Sequence, residues 1–217
     1  MSIRKRVGGT VLTVAAAALA VGLSATSALA ATTLTVAVTN GGTYTAKTSK
    51  TVLSDNGVNV TCSSTSTTKA STATGSIPTH TYTATSPVKV GTVATLNFKN
   101  CTGPLGKVTA TPAALPYSVK IDSKTNGSGQ TDGMITGVSV KVSMTGCSFV
   151  VTGSAPGFYT NGTHKLAMTS TLPITPLNSA RLTVGSVSGC AGIVNNGDHP
   201  KYTGTYTVSR AIVIKST

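Results

Sequence analysis

Met134-Ile-Thr-Gly-Val-Ser-Val-Lys-Val-Ser-Met-Thr-Gly-Cys-Ser-Phe-Val-Val-Thr-Gly153 decides the fold. From Val138 to Met144 the apolar residues Val138, Val140, Val142 and Met144 alternate with small or polar ones, the period of a half-buried strand. Gly146-Cys147 punctuates the run, and Phe149-Val150-Val151 resumes it. Cys147 stands forty-three positions before Cys190, in V-S-G-C-A-G. Cys62, in V-N-V-T-C, stands thirty-nine before Cys101, in F-K-N-C-T-G. The same frame therefore occurs twice: a strand into a cysteine, about forty residues, then a cysteine followed by x-Gly.

Working outward from that frame, the N-terminus reads as a secretory signal. Arg4, Lys5 and Arg6 form a basic region, and Val11–Leu23 is an apolar run too short to span a bilayer comfortably. Ala28-Leu29-Ala30 offers a small-x-small cleavage site, with the cut expected between Ala30 and Ala31. Residues 1–30 are expected to be the signal peptide, of bacterial type. Residues 31–217 are expected to be one secreted domain without a transmembrane anchor, in pseudo-repeat halves of about 31–125 and 126–217. All four cysteines fall in the exported part. An even count in an oxidising compartment implies two disulfides. Of the three pairings open to four cysteines, the doubled frame favours Cys62–Cys101 and Cys147–Cys190.

Composition points to an all-β domain. Thr, Ser, Gly and Val dominate, glutamate is absent and leucine is sparse, so good helix formers are few and β-branched residues many. Alternating runs recur at Leu34–Val38, Val58–Cys62, Val93–Phe98, Tyr117–Ile121 and Leu182–Val187, separated by Gly, Pro, Asn and Asp. Asn40-Gly41-Gly42 reads as a hairpin turn between two strands, Asp55-Asn56-Gly57 as another turn, and Ser63–Gly75 as an exposed Ser/Thr loop. Gly153–Gly162, with Pro156 and Gly157, reads as a turn-rich connection. The C-terminal run should present Tyr206, Val208, Ala211, Val213 and Ile212 as an apolar face. The architecture expected is an antiparallel β-sandwich or barrel with an internal pseudo-repeat and two disulfides.

Charge is one-sided, with 17 Lys and Arg against four Asp. Setting aside Arg4, Lys5 and Arg6 leaves 14 basic side chains against four aspartates, a net charge of +10. An anionic cell-wall polymer is a partner such a balance suits. The lysines are spread singly, arginine is nearly absent after the signal, and Trp is missing, so specific nucleic-acid binding is not expected.

Residues able to carry chemistry are scarce: Asp55, Asp122, Asp132, Asp198, His80, His164 and His199. Asp122 and Asp132 flank a Gly-rich turn that loosely echoes a calcium loop but holds Lys124 and lacks a closing glutamate. Asp198-His199 is the one adjacent acid–imidazole pair, inside the turn sequence N-N-G-D-H-P. No zinc spacing and no nucleophile elbow occurs. No catalytic, cofactor-binding or metal residue is therefore assigned. Four N-x-Ser/Thr matches, at Asn59, Asn100, Asn126 and Asn161, are what chance supplies in so Ser/Thr-rich a chain. The strand Leu34–Val38 follows the cleavage site directly. A strand so placed suits β-strand addition to a second copy, against the plainer role of an edge strand in its own sheet.

The stretches F-K-N-C-T-G, G-C-S-F-V-V-T-G-S-A-P-G-F-Y and V-S-G-C-A-G-I-V-N-N-G-D resemble those of small secreted actinomycete proteins of unknown function. More loosely, the signal, size and paired cysteines are similar to secreted proteins described as activators of alkane oxidation. The resemblance implies a non-enzymatic extracellular role and brings no catalytic residues. The function expected is a structural or binding role at the cell surface or in the extracellular matrix. The alternatives are a small hydrolase of cell-wall or polysaccharide material, with Asp198 and His199 as candidates, and an inhibitor or toxin-like binding module.

Overall fold

The computed structural model describes residues 32–65, 71–173 and 181–217, and every described element is a strand or turn. The order is β1 (Thr33–Thr39), β2 (Gly42–Thr48), β3 (Lys50–Asp55), β4 (Val58–Ser63), β5 (Ser71–Ile77), β6 (His80–Thr85), β7 (Val88–Phe98) and β8 (Cys101–Gly103), followed by β9 (Gly106–Pro112), β10 (Tyr117–Ile121), β11 (Gln130–Met144), β12 (Cys147–Thr160), β13 (Lys165–Met168), β14 (Leu182–Ser188), β15 (Lys201–Val208) and β16 (Val213–Ser216). Local chemistry sets the tight hairpins. Asn56 (φ 43°) and Gly57 (φ 84°) join β3 to β4, both in the left-handed region that a two-residue hairpin turn requires.

Pairing closes most of these strands into a barrel. β2 and β3 are end to end, and β15 pairs with both, Val208 opposite Ala46 and Lys201 opposite Ser54. β5 and β4 lie along the far edge of β2 and β3, then β7 and β8, then β10 and β9. β11 pairs with β10 through its first part and with β9 through its second. β12 pairs with β11 along its length, and β13 and β14 share its other edge. β13 pairs with β15, which returns to β2 and β3. Eight antiparallel positions thus follow one another in chain order and close on themselves, an up-and-down barrel in which β14 pairs on one side only, with β12. Residues before 125 supply four successive positions and residues after 126 the other four, one half-barrel each.

Each half carries one disulfide between neighbouring positions. Cys62–Cys101 joins directly opposed residues of β4 and β8, and Cys147–Cys190 joins the start of β12 to the chain leaving β14. All four half-cystines are buried.

The long hairpin β11–β12 is the spine. Its register shifts at Gly137 (φ 77°) and is rejoined at Gly153 (φ 121°), where a Cβ would lie 2.4 Å from the Arg181 carbonyl. Only glycine lets both strands bend there while β14 docks closely. The connection expected at 153–162 is instead uninterrupted strand. Pro156 and Gly157 sit inside it because Pro156 lies opposite Met134 without disturbing the ladder, and Gly157 lets β13 approach, its Cβ position 2.5 Å from the Ala167 carbonyl.

The expected hairpin around Asn40-Gly41-Gly42 does not form. β1 leaves β2 and becomes the middle strand of a separate sheet, β16-β1-β6. Leu34, Val36 and Val38 are at most 2 % exposed. β1 is therefore neither an edge strand nor open on one side, and its own chain supplies the neighbours that strand addition would bring. Ile212 and Ile214 on the β16 side also line the end of the barrel interior, so this sheet closes that end. Ser63–Gly75 also differs from expectation: β5 starts at Ser71, and its inward residues Ser71, Ala73 and Gly75 are buried because small side chains fit the crowded wall. At the C-terminus, Ala211 is exposed and Val213 half-buried while Ile212 and Ile214 are buried, because the turn at Ser209-Arg210 resets the alternation.

Candidate functional site: the barrel interior

Inward residues of the eight positions meet in an apolar core, and they do not fill it. A cavity of about 120 Å³ lies among Val93, Leu96, Val140, Val151, Leu182 and their neighbours. A second of about 60 Å³ lies toward the β16-β1-β6 sheet, and both share Tyr44, Ile135, Leu166 and Met168 as walls. Room remains because four facing positions carry alanine: Ala46, Ala73, Ala110 and Ala155. Eight strands are the number at which a barrel interior is just wide enough for side chains or one small ligand.

One polar feature interrupts this lining. Tyr202 and Tyr206, four apart on β15 and so on one face, place their hydroxyls 2.5 Å apart. Thr51 on β3 and Ser71 on β5, 2 % and 0 % exposed, place theirs 3.4 Å apart. Tyr202 also bonds Thr51, and Tyr206 bonds Ser71. The four hydroxyls form a ring of four contacts, which takes up all four hydroxyl protons and leaves half of the oxygen lone pairs unused. Thr51, Tyr202 and Tyr206 reach the larger cavity. Burial pushes Tyr206 and Tyr44 up to about 12 and Tyr202 well above 10, so the ring is neutral through the physiological range. Among the described residues the larger cavity has no carboxylate, imidazole or ammonium in its wall. The arrangement can hold an apolar body against a neutral hydroxyl cluster.

The residues singled out from sequence are placed elsewhere. Cys62, Cys101, Cys147 and Cys190 form the two expected disulfides. Ala30 and Ala31, and the whole signal segment, lie outside the described residues. Asp198 caps its turn, its carboxylate accepting the Asn195 amide at 2.7 Å. His199 turns Nδ1 toward the Leu182 carbonyl at 3.1 Å. The sequence pair gains a third member from β3: the Asp55 carboxyl shares a hydrogen bond with Asp198. Burial first, then the Asp198 hydrogen bond and charge, raises the Asp55 pKa, and His199 opposes the rise.

Asp122 and Asp132 close the β10–β11 loop through their main chains, with the Asp122 amide donating to the Asp132 carbonyl at 3.0 Å. Asp122 accepts the Ser86 hydroxyl at 2.6 Å, and Asp132 is fully buried, its amide donating to Ser123 at 2.9 Å. Asn126, within the calcium-like stretch, spends its side-chain oxygen on the Ser128 and Gln130 amides. Among the described residues no group of three or more His, Cys, Asp or Glu is placed to hold a metal ion.

The exterior of the same wall is a hydroxyl lattice. Outward residues of β2, β5 and β7 stand in rows, Thr43 beside Ser76 and Thr92, then Thr45 beside Thr74 and Thr95. A shallow groove of about 430 Å³ runs over them to Ser209, flanked along the strands by the exposed Lys47 and Lys89.

The hydroxyl ring and the rows were not read from sequence. The available signal was alternation itself: Thr51, Ser71 and Tyr206 occupy inward phases where an aliphatic residue is usual. Compared with known protein families, with curated proteins and with solved structures, the chain matches none. The two disulfides suit an oxidising environment, and among the described residues no helix is long and apolar enough to cross a membrane.

Proposed function

We propose that this is an exported, non-enzymatic protein with a binding or structural role at the cell surface or in the extracellular matrix. The observation that carries the reading is the barrel with one disulfide per half, a build that suits a rigid scaffold outside the reducing cytosol. The hydroxyl rows with Lys47 and Lys89 are the face such a scaffold turns toward an anionic, hydroxyl-rich wall polymer. The resemblance of the cysteine-bearing stretches to secreted actinomycete proteins supports the same role. The test is co-sedimentation of the purified protein with cell-wall material across a salt series. Binding that weakens with salt, and falls on Lys47→Glu with Thr74→Ala, supports the proposal. No co-sedimentation at low salt removes the wall-binding form of it.

A second reading, a small hydrolase of wall or polysaccharide material, is favoured by one contact: the Asp55–Asp198 hydrogen bond beside His199. Turnover on a polysaccharide panel, lost in both His199→Ala and Asp55→Asn, would establish it. Absence of turnover leaves the binding role.

A further inference from the structure

We infer that the barrel interior is a binding site for a small linear aliphatic molecule bearing one neutral, hydrogen-bond-donating head, of which a primary alcohol is the simplest case. The inference does not depend on where the protein acts or on what its outer face meets. Three observations carry it. The first is room. A cavity of about 120 Å³ adjoins one of about 60 Å³, and close packing normally leaves few voids larger than a water molecule. An apolar cavity of roughly 150 Å³ admits benzene, so an occupant here has about six to eight carbons.

The second is shape. The two spaces share Tyr44, Ile135, Leu166 and Met168 as walls, so an occupant that reaches both passes along these side chains. That favours a chain over a fused ring system. The third is the head group. The ring formed by Thr51, Ser71, Tyr202 and Tyr206 uses each of its own donors once. What it still offers is lone pairs, which take a donor such as O–H or an amide N–H. A carboxylate at the ring finds no cation in the larger cavity's described wall and no unused donor, so its charge would be buried unpaired; the one cation in the smaller space's described wall, Lys120, lies where none of Thr51, Tyr202 and Tyr206 reaches. A plain hydrocarbon fits the volume and leaves the ring unserved.

The test uses the oxidised, purified protein with 1-octanol, octane and octanoate, followed by NMR shifts of alanine methyls and by the melting temperature. The site predicts saturable shifts at Ala73, Ala110 and Ala155 with 1-octanol, at least tenfold weaker binding of octanoate, and several-fold weaker binding of octane. Tyr206→Phe should bring octanol down to the affinity of octane and leave octane unchanged. Ala155→Leu or Ala73→Val, which fill the space, should weaken octanol at least tenfold without lowering the melting temperature of the free protein. Absence of saturable shifts with octanol in the unaltered protein overturns the site, whatever the variants do. Equal binding of octane and octanol, unaffected by Tyr206→Phe, overturns the assignment of the head group.

Discussion

Replacing Cys147 and Cys190 together by alanine tests how the two half-barrels are held. The bridge closes a separation of 43 residues. In the chain-entropy account, a loop of that size costs the open unfolded chain about 4 kcal/mol that the bridged chain never pays. The Cys62–Cys101 bridge closes 39 residues, and because the dependence is logarithmic the two terms differ by only about 0.1 kcal/mol. The two double variants should therefore lose nearly equal stability, although one bridge opposes residues in a strand pair and the other ties a strand start to a loop.

For a domain of this size, a loss of about 4 kcal/mol lowers the melting temperature by roughly 8–16 °C. With both bridges removed, the loss of about 8 kcal/mol exceeds the lower part of the ordinary range of net stability, about 5–15 kcal/mol, and would unfold a protein that lies there. Urea unfolding under oxidising conditions measures the loss. The slope with denaturant should rise in each variant, since the unbridged chain expands further on unfolding. A loss below about 1 kcal/mol in both variants, relative to the value from the entropy account, refutes the reasoning. A large inequality between them would move the effect to native packing around the sulfurs.

Alkaline titration should show buried phenols. Burial pushes Tyr44, Tyr159 and Tyr206 to about 12 and raises Tyr82, Tyr117 and Tyr202. The unfolded chain releases these protons near 10 while the folded one keeps them, so stability falls as the pH rises through that value. Tyrosinate absorbance should then appear together with loss of near-ultraviolet dichroism; a gradual titration near 10 with the fold intact would contradict it. Asp55 follows the same sign on the acid side. Its folded pKa lies above the ordinary 3.8, so stability is lost as the pH rises through the interval starting there. Asp55→Asn should raise the urea midpoint at neutral pH and give no advantage in acid; a lowered neutral midpoint counts against the raised pKa. Asn161 donates to the Ile214 carbonyl and accepts its amide, both at 2.8 Å. Asn161→Ala should remove about 2 kcal/mol and speed hydrogen exchange in β16 and β1 before β11. Gly153→Ala should cost at least about 1–3 kcal/mol, with the fastest added exchange at Leu182–Gly185, where β14 docks.

How much of this was legible follows from the range over which each feature is set. Alternation at Val138–Met144, the Asn56-Gly57 turn and the scarcity of helix formers act within a few residues, and they specify strands, faces and a hairpin without reference to the rest of the chain. The doubled cysteine frame, with its spacings, was enough to choose one disulfide pairing out of three. What a strand pairs with is another matter, because period-two alternation says which side is buried and not against what. Sequence neighbours β1 and β2 separate, since β1, with Leu34, Val36 and Val38 buried, pairs with β6 on one side and with β16, the last described strand, on the other. Pro156 and Gly157 look like breakers, and only the partners at Met134 and Ala167 make them strand residues. Closure depends on β15 returning across about 150 residues to β2 and β3. The same return brings Tyr202 and Tyr206 to Thr51 and Ser71, and Asp198 to Asp55. The candidate site was therefore decided by tertiary structure: its apolar walls were foreseeable strand by strand, but the hydroxyl ring exists only once the barrel has closed.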